Sequence, residues 1–457
     1  MLCLSVSCGN VEGQAFPDAG DHEDAALEDA GTDAGTDAGA GDDAGTQDDA
    51  GTGGDGDEGP ECGNNVIEGF EACDDGNQED GDECSADCRI LKTERNLGIS
   101  GVAYDITKDN NGTVHIIWKV GGNLRYGQIE DGLVVGAEDI PNSSNVNTRY
   151  NRPRIAVRPD GATVHTAWNG TPGETLFHAW RDSEGNWHRE AAWNRGTSSY
   201  YVACPSIGVD LTGAVHIVAQ RWDGDNDGAP TPVVYCHKPS GGSWSGLVIV
   251  QQPDPPENRQ WRDTSMFTDK LGGIHAVWKA GTGVPGKYRY TPSGGDLGQE
   301  PTQVIPVPDV PQIDNVSFGD LFVTENGDVH HSHMTYPLQQ IWYQVKRDES
   351  TSFAEAALAG PMNNDEHVSY ENPWPVIAVD THDRVFTAWA ENRGGAPIPF
   401  VVLAVSGSTP WAIEDLTTTA NIDGSSAPAM TAVGDLIYLV YRNAAGELIL
   451  VNTRYAP

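Results

Sequence analysis

One motif recurs along most of the chain and limits what it can fold into. It reads Asn111-Gly-Thr-Val-His115-Ile-Ile-Trp118, Asp160-Gly-Ala-Thr-Val-His165-Thr-Ala-Trp168, Thr212-Gly-Ala-Val-His216-Ile-Val-Ala219 and Gly272-Gly-Ile-His275-Ala-Val-Trp278, then Asn326-Gly-Asp-Val-His330-His-Ser-His333, Asp383-Arg-Val-Phe386-Thr-Ala-Trp389 and Gly434-Asp-Leu-Ile-Tyr438-Leu-Val-Tyr441. The intervals between successive histidines, or the aromatics that replace them, are 50, 51, 59, 55, 56 and 52 residues. A period of this length built from strand-like units points to a β-propeller and away from a helical solenoid.

Each unit has the same internal order. An apolar strand such as Pro153 to Val157 enters a Gly or Asp turn, the chain returns as the histidine strand, and a third strand such as Leu124 to Gly127 or Ile341 to Gln344 follows. Segments such as Trp187 to Ala192 and Trp244 to Val250 supply a fourth strand in most units, but the last unit has none after Glu447 to Thr453. That would leave an open sheet edge, and Arg89 to Arg95 is available to fill it. The expected fold is all-β: a seven-bladed β-propeller of four-stranded blades over residues 89–457, closed by an N-terminal strand.

A residue that recurs once per blade is spread around a ring and cannot converge on one ligand. His115, His165, His216, His275 and His330 are therefore expected to be interblade packing groups with satisfied imidazoles. Trp118, Trp168, Trp278 and Trp389 are expected on the same strand face as Val114, Val164, Ile274 and Val385, since side chains alternate along a strand.

The front of the chain is different. The net charge is -40, and residues 1–60 hold 16 Asp or Glu with no Lys or Arg. Such acidity argues against nucleic acid or an anionic membrane surface as partner, since both select basic footprints, and no apolar run reaches 18 residues. Residues 16–60 repeat Asp-Ala-Gly and Thr-Asp-Ala-Gly with almost nothing large and apolar, which predicts a disordered, self-repelling tether. In residues 61–88, Cys62, Cys73, Cys84 and Cys88 are too close-set to enclose a core and are expected to form two disulfides, with three connectivities open. The carboxylates around them suit calcium better than zinc. The strings Cys73-Asp-Asp-Gly-Asn77 and Asp80-Gly-Asp-Glu-Cys84 resemble the cysteine-rich repeat of myxobacterial-type surface lipoproteins. Residues 1–15, which include Met1-Leu-Cys-Leu-Ser-Val-Ser-Cys8, resemble the tail of a lipoprotein signal; this implies lipid attachment at Cys8, a membrane anchor and a cell-surface or extracellular address.

Functional residues are sought where the repeat breaks. Blade five carries His333 in place of Trp and continues to Tyr336, and blade three carries Ala219 followed by Trp222 and Asp223-Gly-Asp225-Asn-Asp227-Gly228. Alternating carboxylates before a glycine make Asp223, Asp225 and Asp227 a candidate calcium turn, although Val234 at the twelfth position rules out an EF-hand. Both breaks are assigned to the loop after the second strand. That loop shares a face with the segments leading into the first strands, which hold Arg152, Arg154, Arg259, Trp261, Arg262 and Trp374, and with Arg393 beyond the sixth blade's second strand. Guanidinium forks pair with carboxylate or sulfate and aromatic faces stack on sugars. The rim of Arg152, Arg154, Trp222, Arg259, Trp261, Arg262, Tyr336 and Arg393 is thus the candidate ligand site.

The pattern Asp-x-x-Gly-x-Val-His-x-x-Trp resembles the degenerate repeat of sialidase-like bacterial propellers. That superfamily includes sialidases, polysaccharide lyases and sugar-binding proteins. No complete Ser-x-Asp-x-Gly-x-Thr-Trp box is present, and the sialidase arginine triad cannot be placed residue by residue. The first expectation is a monomeric, surface-tethered propeller that binds an extracellular, acidic glycan or polysaccharide without chemistry. The second is an enzyme, a glycoside hydrolase or more plausibly a polysaccharide lyase acting on uronates, in which Arg262 neutralises the carboxylate while His333 and Tyr336 act as base and acid. The third is a protein-interaction scaffold.

Overall fold

The computed structural model describes residues 61–68, 71–79, 84–143, 146, 152–170, 175–196, 200–222, 232–252, 264–279, 285–306, 315–336, 340–354, 357–360, 366–368, 374–393, 400–406, 411–415 and 427–455. At residues 103, 222, 315–318, 336, 366–368, 391–393, 400 and 412–415 the backbone alone is described. All of them belong to one compact unit, Glu58–Pro457. The acidic tether and Cys8 lie outside the described residues.

Seven antiparallel sheets follow one another along the chain. Their first strands are Val102–Lys108, Arg154–Val157, Tyr201–Val209, Thr264–Thr268, Asn315–Val323, Val376–Val379 and Ala429–Val433. Each touches the next and the last touches the first, so the seven line a tunnel. The sixth blade carries one short extra strand, Glu366–Val368, on its second strand. In the seventh, Ile90–Ser100 pairs antiparallel with Glu447–Tyr455 and becomes the fourth strand, as the missing segment predicts. Leu97 of this closing strand is buried, and the Tyr441 hydroxyl donates to Glu94 at 3.0 Å.

The repeated residues make the blades. Asp109, Asp269 and Asp380 each accept backbone N–H bonds from the residues two and four positions on, which closes the turn between first and second strands. The fourth residue of the turn sits at positive φ, +85° at Gly112, +80° at Gly272 and +59° at Asp383; at Gly272 a Cβ would also press on Leu211. Trp118, Trp168, Trp278 and Trp389 are all buried, as their common strand face predicts. The histidines correct the expectation. In four of the five, Nδ1 lies 2.8 Å from a tyrosine hydroxyl on the third strand of the same blade, in the pairs His115 with Tyr126, His216 with Tyr235, His275 with Tyr288 and His330 with Tyr343, and in the fifth, His165, it lies 3.0 Å from His178 Nε2, again on the third strand. The pairing is therefore within a blade, across neighbouring strands, and the Nε2 atoms of His115, His216 and His330 have no hydrogen-bond partner among the described residues. Contacts between blades fall to other groups. Glu138 of the first blade accepts from Arg181 and Trp187 of the second at 2.6 and 3.0 Å, and Glu190 of the second accepts from Lys238 and Trp244 of the third at 2.7 and 2.9 Å.

The cysteine module resolves to Cys62–Cys88 and Cys73–Cys84. Its Asp74 carboxylate accepts four backbone N–H bonds, from Gly63, Asn64, Asn65 and Gly76, at 2.8 to 3.0 Å. Desolvation pushes Asp74 up, but those donors outweigh it and hold the group below the usual carboxylate range. The module's most engaged carboxylate thus organises the loop through its own backbone. Arg454 of the last strand donates to the Ala72 carbonyl, and Cys84 bridges to Leu91, so the module is fastened at the point of ring closure. Cys236 is a buried free thiol, and burial pushes its pKa up to about 12.

Candidate functional site

In a four-stranded meander the chain enters every first strand on the same face as it turns from second to third, here called the upper face. Arg152 and Arg154 stand at its centre. Arg154 opens the first strand of the second blade, and its guanidinium spans the tunnel, 3.5 Å from Asp105 of the first blade and 3.6 Å from Asp320 of the fifth. It also donates to Ser265 of the fourth blade at 3.3 Å, while the Ser265 hydroxyl donates to Asp320. The Ile155 N–H reaches the second oxygen of Asp105 at 3.1 Å. Four blades therefore meet at one cation, and the charges plug the tunnel. Asp105 is pushed up by burial, against the pull of Arg154 and then Arg152.

Above the plug lies a cavity of about 40 Å³ lined by Arg152, Arg154, Cys204, Thr264, Gly319 and Trp374. One water needs roughly 10–15 Å³ of such space, so the cavity admits a carboxylate or sulfate group but no sugar ring. Arg152 is anchored by a 2.9 Å bond from its Nη1 to the Pro428 carbonyl. Burial and then the like charge of Arg154 draw its pKa down, with Asp105 and Asp320 opposing. A guanidinium remains charged regardless.

The other expected site residues divide into three groups. Arg259, Trp261, Arg262, Asp223, Asp225 and Asp227 lie outside the described residues. Trp222, Tyr336 and Arg393 end the second strands Val215–Trp222, Val329–Tyr336 and Val385–Arg393, which places their backbones at the upper face. The assignment of these breaks to loops is thereby corrected. Residue 220 of blade three and residue 333 of blade five are still paired in the sheet: Gln220 faces Ala203 just beyond a bulge at Ala203/Ser206, and His333 faces Gly319 in unbroken register just before the bulge at Ser317/Gly319. His333 is the third case. It lies fully buried inside blade five, stacked on His331 with ring centroids 4.9 Å apart, and neither of its ring nitrogens has a partner among the described residues. Burial, then His331, hold its pKa well below the ordinary value. Such an imidazole is neutral, but in this conformation it has no contact with solvent or with the cavity.

Sequence reasoning missed Asp105, Ser265 and Asp320. The available signal was a carboxylate set inside the apolar strands Tyr104-Asp105-Ile106 and Gly319-Asp320-Leu321, a placement that requires a buried cation as partner.

Removing that cation gives a direct test. Arg154→Met deprives Asp105 and Asp320 of their ion-pair partner, leaving only the charge of Arg152, and should cost about 3–5 kcal/mol at pH 7 in denaturant unfolding. A carboxyl whose folded pKa is raised contributes stability that is full below its unfolded value and is lost as pH rises through the folded one. In the variant Asp105 rises further, so the deficit relative to wild type should narrow from pH 7 to pH 5. Adding Asp105→Asn and Asp320→Asn should restore most of it. A single variant as stable as wild type would show that the plug carries no net charge coupling.

No protein-family model matches the chain, and no curated protein sequence does. Solved structures resemble it in shape. A PL25 ulvan lyase solved bound to -[GlcA(1-4)Rha3S]- has a TM-score of 0.51 at 9% identity, over 78% of this chain and 95% of its own. The polysaccharide lyase Uly1 has a TM-score of 0.45 at 12% identity, over 79% and 90%. A Hadza microbial sialidase has a TM-score of 0.44 at 10% identity, over 79% and 95%. What this chain shares with the ulvan lyase is the propeller architecture.

Proposed function

We propose that this chain is an exported propeller, lipid-anchored through Cys8, that binds an acidic saccharide at the upper mouth of its tunnel. The observation that carries the reading is the small cavity between Arg152 and Arg154, bordered by Trp374. It takes one anionic substituent, while the sugar ring that bears it stays outside, against the indole. The ulvan lyase of similar architecture was solved with a saccharide of this class, one uronate and one sulfated sugar. Binding is favoured over cleavage because the proposed base, His333, is sealed within its blade.

The test is a polysaccharide array with the full chain, read for binding and for absorbance of newly formed unsaturated uronates. Uronate-containing or sulfated polysaccharides should bind, neutral ones should not, and affinity should fall as salt rises. Arg152→Ala should weaken binding about tenfold, the loss of one charged hydrogen-bonded contact, and His333→Phe should leave it unchanged. Unsaturated products that vanish in His333→Phe would establish the lyase instead. Equal binding of neutral and acidic polymers would remove the acidic-saccharide reading.

A further inference from the structure

The turns between first and second strands surround the other mouth of the tunnel, and a second cavity of about 270 Å³ opens there. It is close in size to the smallest ligand pockets, roughly 300 Å³. Its walls include Ile155, Ile207, Met266 and Val323, and its rim carries Lys108, Lys270, Thr268 and Glu325. Ile155 directly follows Arg154, whose ion pairs cross the tunnel, so the cavity is a dead end separated from the upper mouth. A polymer cannot thread it, although a single small molecule can enter.

The rim charges define what would fit. Lys270 is spoken for: its ammonium lies 3.6 Å from Glu325, and its carbonyl accepts from Asn110 at 3.3 Å across the mouth. Lys108 differs, since among the described residues no hydrogen bond or ion pair holds its ammonium. Burial draws its pKa below the ordinary lysine value, with Glu325 and Asp109 pulling the other way. A half-buried cation without a close partner is costly, and an anion placed beside it removes the cost. Among the residues that line the cavity two lysines stand against one carboxylate, Glu325, with Asp109 behind Lys108 and outside the lining, so the surface offered to a ligand carries one excess positive charge, which suits a monoanion. The apolar walls suit a hydrocarbon body.

We propose that the lower mouth binds a small amphiphilic carboxylate, with its head on Lys108 and its apolar body against Ile155, Ile207 and Met266. This site is independent of the saccharide reading, which concerns the opposite mouth.

The probes are hexanoate, hexanol and inorganic phosphate, titrated into the full chain by calorimetry. Hexanoate should bind saturably and at least tenfold more tightly than either hexanol or phosphate, and Lys108→Gln should abolish the preference over hexanol. Because that variant could also perturb folding, a second measurement uses the unaltered protein. Lys108 should be acylated by an amine-reactive reagent at neutral pH, read by mass spectrometry, and hexanoate should slow that acylation about tenfold while leaving a lysine outside the cavity, such as Lys287, unaffected. Equal binding of hexanoate and hexanol would overturn the proposal, as would equal binding of phosphate or an unchanged acylation rate at Lys108.

Discussion

Acidification from pH 7 to pH 5 is expected to unfold the ring. Burial holds His115, His216 and His330 down to about 4 and His331 to about 3. His165, His178, His275 and His333 are lowered as well, again chiefly by burial. A histidine whose folded pKa is depressed contributes stability that is complete above its unfolded value near 6.5 and is lost as pH falls from there toward the folded value. Each such group removes about 1.4 kcal/mol per pH unit in that window. Together they remove on the order of 10 kcal/mol by pH 5.5, comparable to the whole stability of an ordinary domain. Asp105, raised by burial, titrates in the opposite sense but is one group against eight. Denaturant midpoints at pH 7.5, 6.5 and 5.5 should fall steeply over the last step. The double variant His331→Phe with His333→Phe should flatten the slope by about two protons. A midpoint that stays level to pH 4.5 would mean that these imidazoles are not held neutral.

The second large effect concerns the closing strand. Three truncations separate its contribution from that of the segments before it. Removing residues 1–60 should leave the melting temperature unchanged. Removing residues 1–88 takes away the module and its bond from Arg454 to Ala72, and should lower it modestly. Removing residues 1–100 takes away the partner of Glu447–Tyr455 along eight residue pairs and uncovers the contacts of buried Leu97. At about 1 kcal/mol net per ladder hydrogen bond and roughly 2–5 kcal/mol for a buried leucine, the loss exceeds about 10 °C in melting temperature. The bared edge should also make the protein aggregate. Should the last two truncations melt together, ring closure by Ile90–Ser100 would contribute nothing to stability.

The ring was legible because it is written locally and repeatedly. Each His-x-x-Trp strand announces itself within ten residues, and counting units exposed the strand that the last blade lacks. The tunnel plug was not legible because its members, Asp105, Arg154, Ser265 and Asp320, come from four blades and meet only when the ring has closed. Arg154 therefore read as a rim residue although it sits in a strand at the axis. The histidines were misread for a related reason. Their recurrence ruled out a shared ligand, but the choice between a neighbour in the same blade and one in the next depends on register, which places Tyr126, Tyr235, Tyr288 and Tyr343 within reach of Nδ1. His333 looked accessible because nothing local in the sequence shows that its strand runs three residues further, to Tyr336.

The pairing of Ile90–Ser100 with Glu447–Tyr455 also sets an order of events in synthesis. A chain emerging from the ribosome can form the first six blades as they appear, because each is a local meander. The seventh cannot be completed until Tyr455 has been made, so the nascent protein carries an unpaired strand near its front throughout. Contacts this distant in sequence form late and slowly. Ring closure is therefore the last step of assembly, and it joins the two strands beside the disulfides of the cysteine module.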